Sequence, residues 1–113
     1  MLVAFSVAPS GDGNPDGSVH DAVAAAVTVV RASGLPHRTT SMFTEIEGEW
    51  DEVMAVVKGA VDAAQPFGSR VSLVLKADIR PGYTGEIDGK IARLETAIES
   101  IRGEQGSGTT ISE

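Results

Sequence analysis

The chain has no cysteine, which excludes disulfides, thiolate metal sites and a cysteine nucleophile and fits a reducing compartment. Positive charge is scarce. Nine lysines and arginines stand against sixteen acids, giving a net charge of −7 and a pI near 4.7. With no basic patch to release counterions from a phosphate backbone, nucleic acid is not an expected partner. The opening run from Met1 to Pro9 has no basic flank and is too short to cross a bilayer, so it reads as a first strand and not as a signal or membrane span. A cytoplasmic protein without a membrane role is expected. The two histidines, His20 and His37, lack metal-ligand spacing and read as surface residues. Ser6 has neither a His-Asp partner pattern nor the glycines of a nucleophile elbow, which argues against catalysis there. The loop Gly11 to Gly17 lacks the lysine of a P-loop and the closing glutamate of an EF-hand, and reads as a flexible turn.

What is present is an ordinary globular composition, 42% hydrophobic and 22% charged over 113 residues, enough for one modest core. Residues 1–102 read as one domain, and the Gly/Ser/Thr-rich stretch 103–113 as a flexible tail. Leu2 to Ala8 is an apolar strand closed by Pro9. Ser18 is a natural N-cap, and Val19, Val23, Val27 and Val30 recur at helical spacing up to Gly34. His37 to Glu47 is extended, with a reversal near Met42-Phe43 dividing it into two strands. Gly48 to about Ala64 forms a second helix with acids in its first turn and Val53, Val56, Val57 and Val61 on one side, and Pro66 and Gly68 stop it. Arg70 to Ile79 is a strand, Pro81 to Gly85 a loop, and Ile87 to Ile101 a third helix with Ile87, Ile91, Leu94, Ile98 and Ile101 as its apolar stripe.

This order predicts an α+β fold, a ferredoxin-like βαββαβ sandwich with an extra C-terminal helix. Two helices then cover one face of a four-stranded sheet and leave the other bare. Alternation sends Val3, Phe5 and Val7 to the helix side, with Leu2, Ala4, Ser6 and Ala8 facing away. In the last strand Val71, Leu73, Leu75 and Ile79 point inward, and Ser72, Val74, Lys76, Asp78 and Arg80 outward. Between them Thr44 and Ile46 go inward while Phe43, Glu45 and Glu47 face out. A bare face part apolar and part charged suits a subunit interface with a pocket at its edge.

At these residues the chain resembles the small thiamine-binding proteins of the MTH1187/YkoF-like group. The likeness covers nearly all of the ordered chain. It is carried by Ser6 to Gly11, by Ser18-Val19, and above all by Thr40, Met42, Thr44, Ile46, Glu47 and Gly48, with Arg70-Val71-Ser72 and Lys76, Asp78 and Arg80 in the last strand. Phe43 stands where the group commonly has glycine, Glu45 where it has an apolar residue, and the loop 11–17 is longer. The resemblance implies a non-catalytic binding protein, without a cofactor, that takes thiamine or its hydroxymethylpyrimidine moiety near an interface of a homotetramer built as a dimer of dimers.

Chemistry is compatible with that ligand. An aminopyrimidine wants carboxylate, hydroxyl or amide partners, and a thiazolium cation is stabilised by acidic and aromatic groups. The candidate ligand-binding residues are Glu47 as polar anchor, Ser6 and Thr44 as hydroxyl partners, and Met42 or Phe43 as an apolar wall. For Glu47 the other reading, a partner for the helix N-terminus that follows it, stands beside the first. Lys76, Asp78 and Arg80 read as a salt-bridged strand face, and Trp50 as a staple of the second helix to the sheet or an interface. Two further function classes stay open: an oligomeric regulatory or structural protein without a vitamin ligand, and a small enzyme drawing on Glu45/Glu47 or Lys76/Asp78 as acid-base pairs.

Overall fold

The computed structural model describes residues 1–11 and 19–104. Four strands and three helices follow one another as β1 (Leu2–Ser10), α1 (Val19–Ala32), β2 (His37–Thr39), β3 (Thr44–Glu47), α2 (Trp50–Ala64), β4 (Arg70–Asp78) and α3 (Glu86–Glu104), with a 3-10 turn at Gln65–Phe67. The sheet order is β2-β3-β1-β4 and every neighbouring pair is antiparallel. This is the α+β sandwich expected from the element order, with the third helix appended. Among the described residues no helix is long and apolar enough to cross a membrane. The Ser18 cap and all but the first residue of the loop 11–17 lie outside the described residues. So does the expected tail from 105 onward, while residues 103–104 continue α3.

The core lies where alternation puts it. Val3, Phe5 and Val7 of β1 and Ile46 of β3 are buried beneath α1 and α2 together with Val30, Val53, Val57, Ala60 and Ala64. On α1, however, the packing stripe is not the valine row. Ala22, Ala26 and Val30 are buried, whereas Val23 is exposed and Val27 only half-buried. The reason is the approach of α2: small alanines let the two helices close on each other, and a Cβ placed on Gly59 of α2 would already lie 3.0 Å from Val29 Cγ1. Branched valines are therefore pushed to the flank of the contact.

Two inward assignments in the last strand are also corrected. Leu73 sits opposite Val7, but β4 is the outer strand and the helices centre on β1, so Leu73 overhangs the helix layer and is 41% exposed. Ile79 lies one residue past the end of β4 and is exposed. Trp50 opens α2 and is 54% exposed, so it does not staple that helix to the sheet. The helix begins instead through Glu49, whose amide donates to Glu52 Oε1 at 3.1 Å.

The bare face is not wholly bare. Glu47, opposite Leu2, shares that face with Ala4, Glu45, Lys76 and Asp78, and the first turn of α3 sits over it. Lys90 Nζ donates to Asp78 at 2.5 Å and Arg38 Nη2 to Asp88 at 2.5 Å, tying α3 to both outer strands. Beyond that turn α3 leaves the body. The Cα radius of gyration is 18.2 Å, against roughly 13 Å for a compact chain of this length.

Candidate functional site

The sequence placed five ligand residues at one site, and the structure divides them between the two faces of the sheet. Ser6, Met42, Phe43 and Thr44 line a cavity of about 130 Å³ between β1, α1 and the turn 40–43. Glu47 lies on the opposite face, under α3.

The cavity follows from three local features. Pairing of β1 with β3 covers only Leu2–Phe5 against Thr44–Glu47, so past Phe5 that edge of β1 has no strand beside it and opens at Ser6 and Val7. The chain of the β2–β3 hairpin bends away at the same height. Its turn is held by Thr40, whose amide donates to the Phe43 carbonyl at 2.8 Å and whose hydroxyl donates to the same carbonyl at 2.9 Å while accepting from the Phe43 amide at 3.2 Å. Opposite stand Val23 and Val27, the valines that the close α1–α2 contact leaves at its flank. Thr44, buried and pointing to the helix side, is thereby aimed into the cavity. The alternation that sends Thr44 inward is thus what brings it to the cavity.

The lining is apolar with hydroxyls set into it. Phe5, Val23, Val27, Met42 and Phe43 supply the walls, and Ser6, Thr39, Thr40, Ser41 and Thr44 the polar groups. Among the described residues, no carboxylate, imidazole or amine lines it. Thr39, Thr40 and Ser41 were missed as lining residues by the sequence reading. The signal available was the Thr-Thr-Ser run itself, adjoining the turn.

Glu47 is 5% exposed, and both of its carboxylate oxygens are occupied: Oε2 accepts from the Glu86 amide at 2.9 Å and Oε1 from the Ile87 amide at 3.2 Å. These are first-turn amides of α3, which no intrahelical carbonyl can satisfy. Gly85, the residue before the helix, has φ +66° and no side chain to cap with. Of the two expected readings of Glu47, the structure shows the helix-partner one, made with α3 rather than with the adjacent α2. Glu86 is buried beside it and accepts from Arg93 Nη2 at 2.6 Å. Between this cluster and the sheet lies a second hollow of about 220 Å³, edged by Leu2, Glu45, Lys76, Asp78, Lys90 and Ile91. Its lysines and acids alternate, and Lys90 and Asp78 are already bonded across it.

The hydrogen bond from Lys90, then its charge, holds the Asp78 carboxyl below the usual range against slight desolvation, with smaller help from Arg80 and Lys76. Arg80 itself stacks 3.5 Å above the Tyr83 ring. His20 and His37 are both exposed, and no group of three or more His, Cys, Asp or Glu side chains among the described residues could hold a metal ion.

Known proteins share this architecture. The model of a family described as thiamine-binding protein matches residues 3–95. A UPF0045 protein of Mycobacterium bovis is 51% identical over 96 residues, covering 84% of this chain and 91% of its own, and one of Synechocystis is 34% identical over 101 residues, covering 88% and 81%. Among solved structures, a Methanocaldococcus jannascii protein superposes with a TM-score of 0.72 at 29% identity over 83% of this chain and 94% of that one. A Thermotoga maritima protein proposed for thiamine biosynthesis or salvage superposes with a TM-score of 0.67 at 26% identity, covering 82% and 96%. The chain belongs to the thiamine-binding protein family.

Proposed function

We propose that this protein binds thiamine or its hydroxymethylpyrimidine moiety without turning it over, and that the pyrimidine ring sits in the cavity between α1 and the turn 40–43. The observation that carries this reading is the lining: among the described residues, five hydroxyl-bearing residues stand around an apolar slot of about 130 Å³ and no ionisable side chain does. A cavity of roughly 150 Å³ accepts a single benzene-sized ring, so the slot suits one six-membered ring better than a two-ring ligand. The Thr44 hydroxyl, with the unpaired β1 edge at Ser6, offers hydrogen-bonding groups where an aminopyrimidine presents its own. Met42 and Phe43 close the mouth, where a thiazolium would rest against the Phe43 ring. General acid-base catalysis needs a titratable group within hydrogen-bond reach of the substrate, and the described residues of this lining offer none, which favours carriage or sensing over catalysis.

Isothermal titration with hydroxymethylpyrimidine and, separately, with thiamine tests the reading. Saturable heat with either compound, lost in Val27→Phe while the far-UV circular dichroism is unchanged, supports it. No heat with both sinks it. The homotetramer implied by the resemblance remains part of the proposal.

A further inference from the structure

The hollow of about 220 Å³ between the sheet and the first turns of α3 has no part in the pyrimidine reading, and its charges are unevenly committed. Asp78 is bonded to Lys90, and Glu86 to Arg93. Glu45 and Lys76 are different: among the described residues neither makes a hydrogen bond or an ion pair, and Lys76 only adds its charge to the field at Asp78. Arg38, the cross-strand neighbour of Glu45, is drawn away to Asp88.

Strand register fixes how the two stand. Ala4 of β1 pairs with Glu45 on one side and with Lys76 on the other, so the three side chains share one row on one face. Glu45 and Lys76 are therefore two strand spacings apart at the backbone, roughly 9–10 Å, with the Ala4 methyl as the floor between them. Leu2 lies beside that floor, and Ile87 and Ile91 of α3 border the hollow above it. The charges at the hollow cancel: Lys76 and Lys90 stand against Glu45 and Asp78, and Glu86 is answered by Arg93. A net anion or cation placed there is attracted at one end and repelled at the other, whereas a molecule carrying both charges is attracted at both.

We propose that this hollow binds a small aliphatic α-amino acid as its zwitterion, with the ammonium on Glu45, the carboxylate on Lys76 and the hydrocarbon chain against Ile87 and Ile91. Charge-assisted hydrogen bonds of about 2.8 Å at each end place the two heads of such a ligand within reach of long side chains rising from strands that far apart. Size agrees. A cavity of roughly 150 Å³ takes the six carbons of benzene, and in proportion 220 Å³ takes about nine non-hydrogen atoms, the count in leucine or isoleucine. Lys76 is exposed, so binding weakens as salt rises. The hollow lies on the face of the sheet opposite the pyrimidine cavity and stands whether or not that reading does.

Isothermal titration of the full chain with L-leucine tests the proposal, with leucine methyl ester and N-acetyl-leucine as probes that each lack one charge. Saturable heat with leucine is expected, at least tenfold weaker for both derivatives. Glu45→Gln and Lys76→Met should each weaken leucine tenfold or more with the far-UV circular dichroism unchanged. The ester keeps only the ammonium, so its residual binding should fall in Glu45→Gln and not in Lys76→Met. No saturable heat with leucine overturns the proposal, and so does heat that both variants leave unchanged. Hydroxymethylpyrimidine should titrate alike in the parent and both variants, which separates failure of this site from failure of the other.

Discussion

Glu47 of β3 accepts the amide of Glu86 at 2.9 Å, so a strand carboxylate closes the start of a helix that begins 39 residues later. Its other oxygen takes the next amide. Two buried donors and the dipole of a 19-residue helix thus rest on one side chain. In Glu47→Gln only the carbonyl oxygen can still accept, leaving one amide unpaired and the charge removed. A loss of about 1–3 kcal/mol in urea unfolding is expected. Hydrogen exchange at the Glu86 and Ile87 amides should accelerate more than exchange in β1. Affinity for the pyrimidine should change less than twofold, because Glu47 is not at the cavity; a large loss of binding with exchange unchanged would restore it as a ligand anchor.

Thr44→Val replaces a buried hydroxyl with a methyl of similar volume at the cavity wall. One hydrogen bond to a ligand contributes about 0.5–1.5 kcal/mol, so titration should show affinity falling roughly two- to tenfold, with thermal stability nearly unchanged. Unaltered affinity would remove Thr44 from the site.

Gly68 follows the 3-10 turn, and a Cβ there would lie 2.6 Å from the Ser10 carbonyl oxygen and 2.8 Å from the Ser10 nitrogen. Its φ of −169° is open to any residue, so the constraint is contact and not backbone strain. Backbone atoms of β1 cannot swing aside as a side-chain tip can. Gly68→Ala should cost about 1–3 kcal/mol, lowering the midpoint of thermal unfolding by roughly 4–20 °C. A melting curve superposable on the parent would refute the close approach.

Asp78 has its carboxyl held below the usual range by Lys90. A depressed folded-state value means that the contribution is present above the unfolded carboxylate range and fades as pH falls through the folded one. Acid should therefore loosen α3 from β4 below about pH 4. In Asp78→Asn this share of the acid sensitivity should vanish, read as a shallower acid limb when stability is followed against pH. The group is solvent-accessible, so the effect is small and screened by salt.

How far the residues announced this molecule differs from place to place. The strand and helix order, the reversal at 40–43 and the inward set of β1 were readable because each depends on neighbours two to four positions away. The α1 stripe was misjudged because valines and alanines share the same periodicity, and only the closeness of α2 at Gly59 decides which row is buried. Glu47, expected either as a polar anchor or as a partner for the helix N-terminus after it, caps a different helix because its partners lie 39 and 40 positions along the chain, beyond any local pattern. Gly85, a helix start without a capping side chain, was the available hint that a distant group must serve. Four of the five candidate residues border one cavity, with Thr44 on the helix side of the sheet and Ser6 reaching it along the strand edge, since the early end of β1–β3 pairing that opens the cavity has no signature in composition.

The cavity opens on one side of the sheet and α3 departs from the other, with a single layer of backbone between them. A protein fixed to a support by the far end of α3 would hold its mouth at 40–44 away from the attachment.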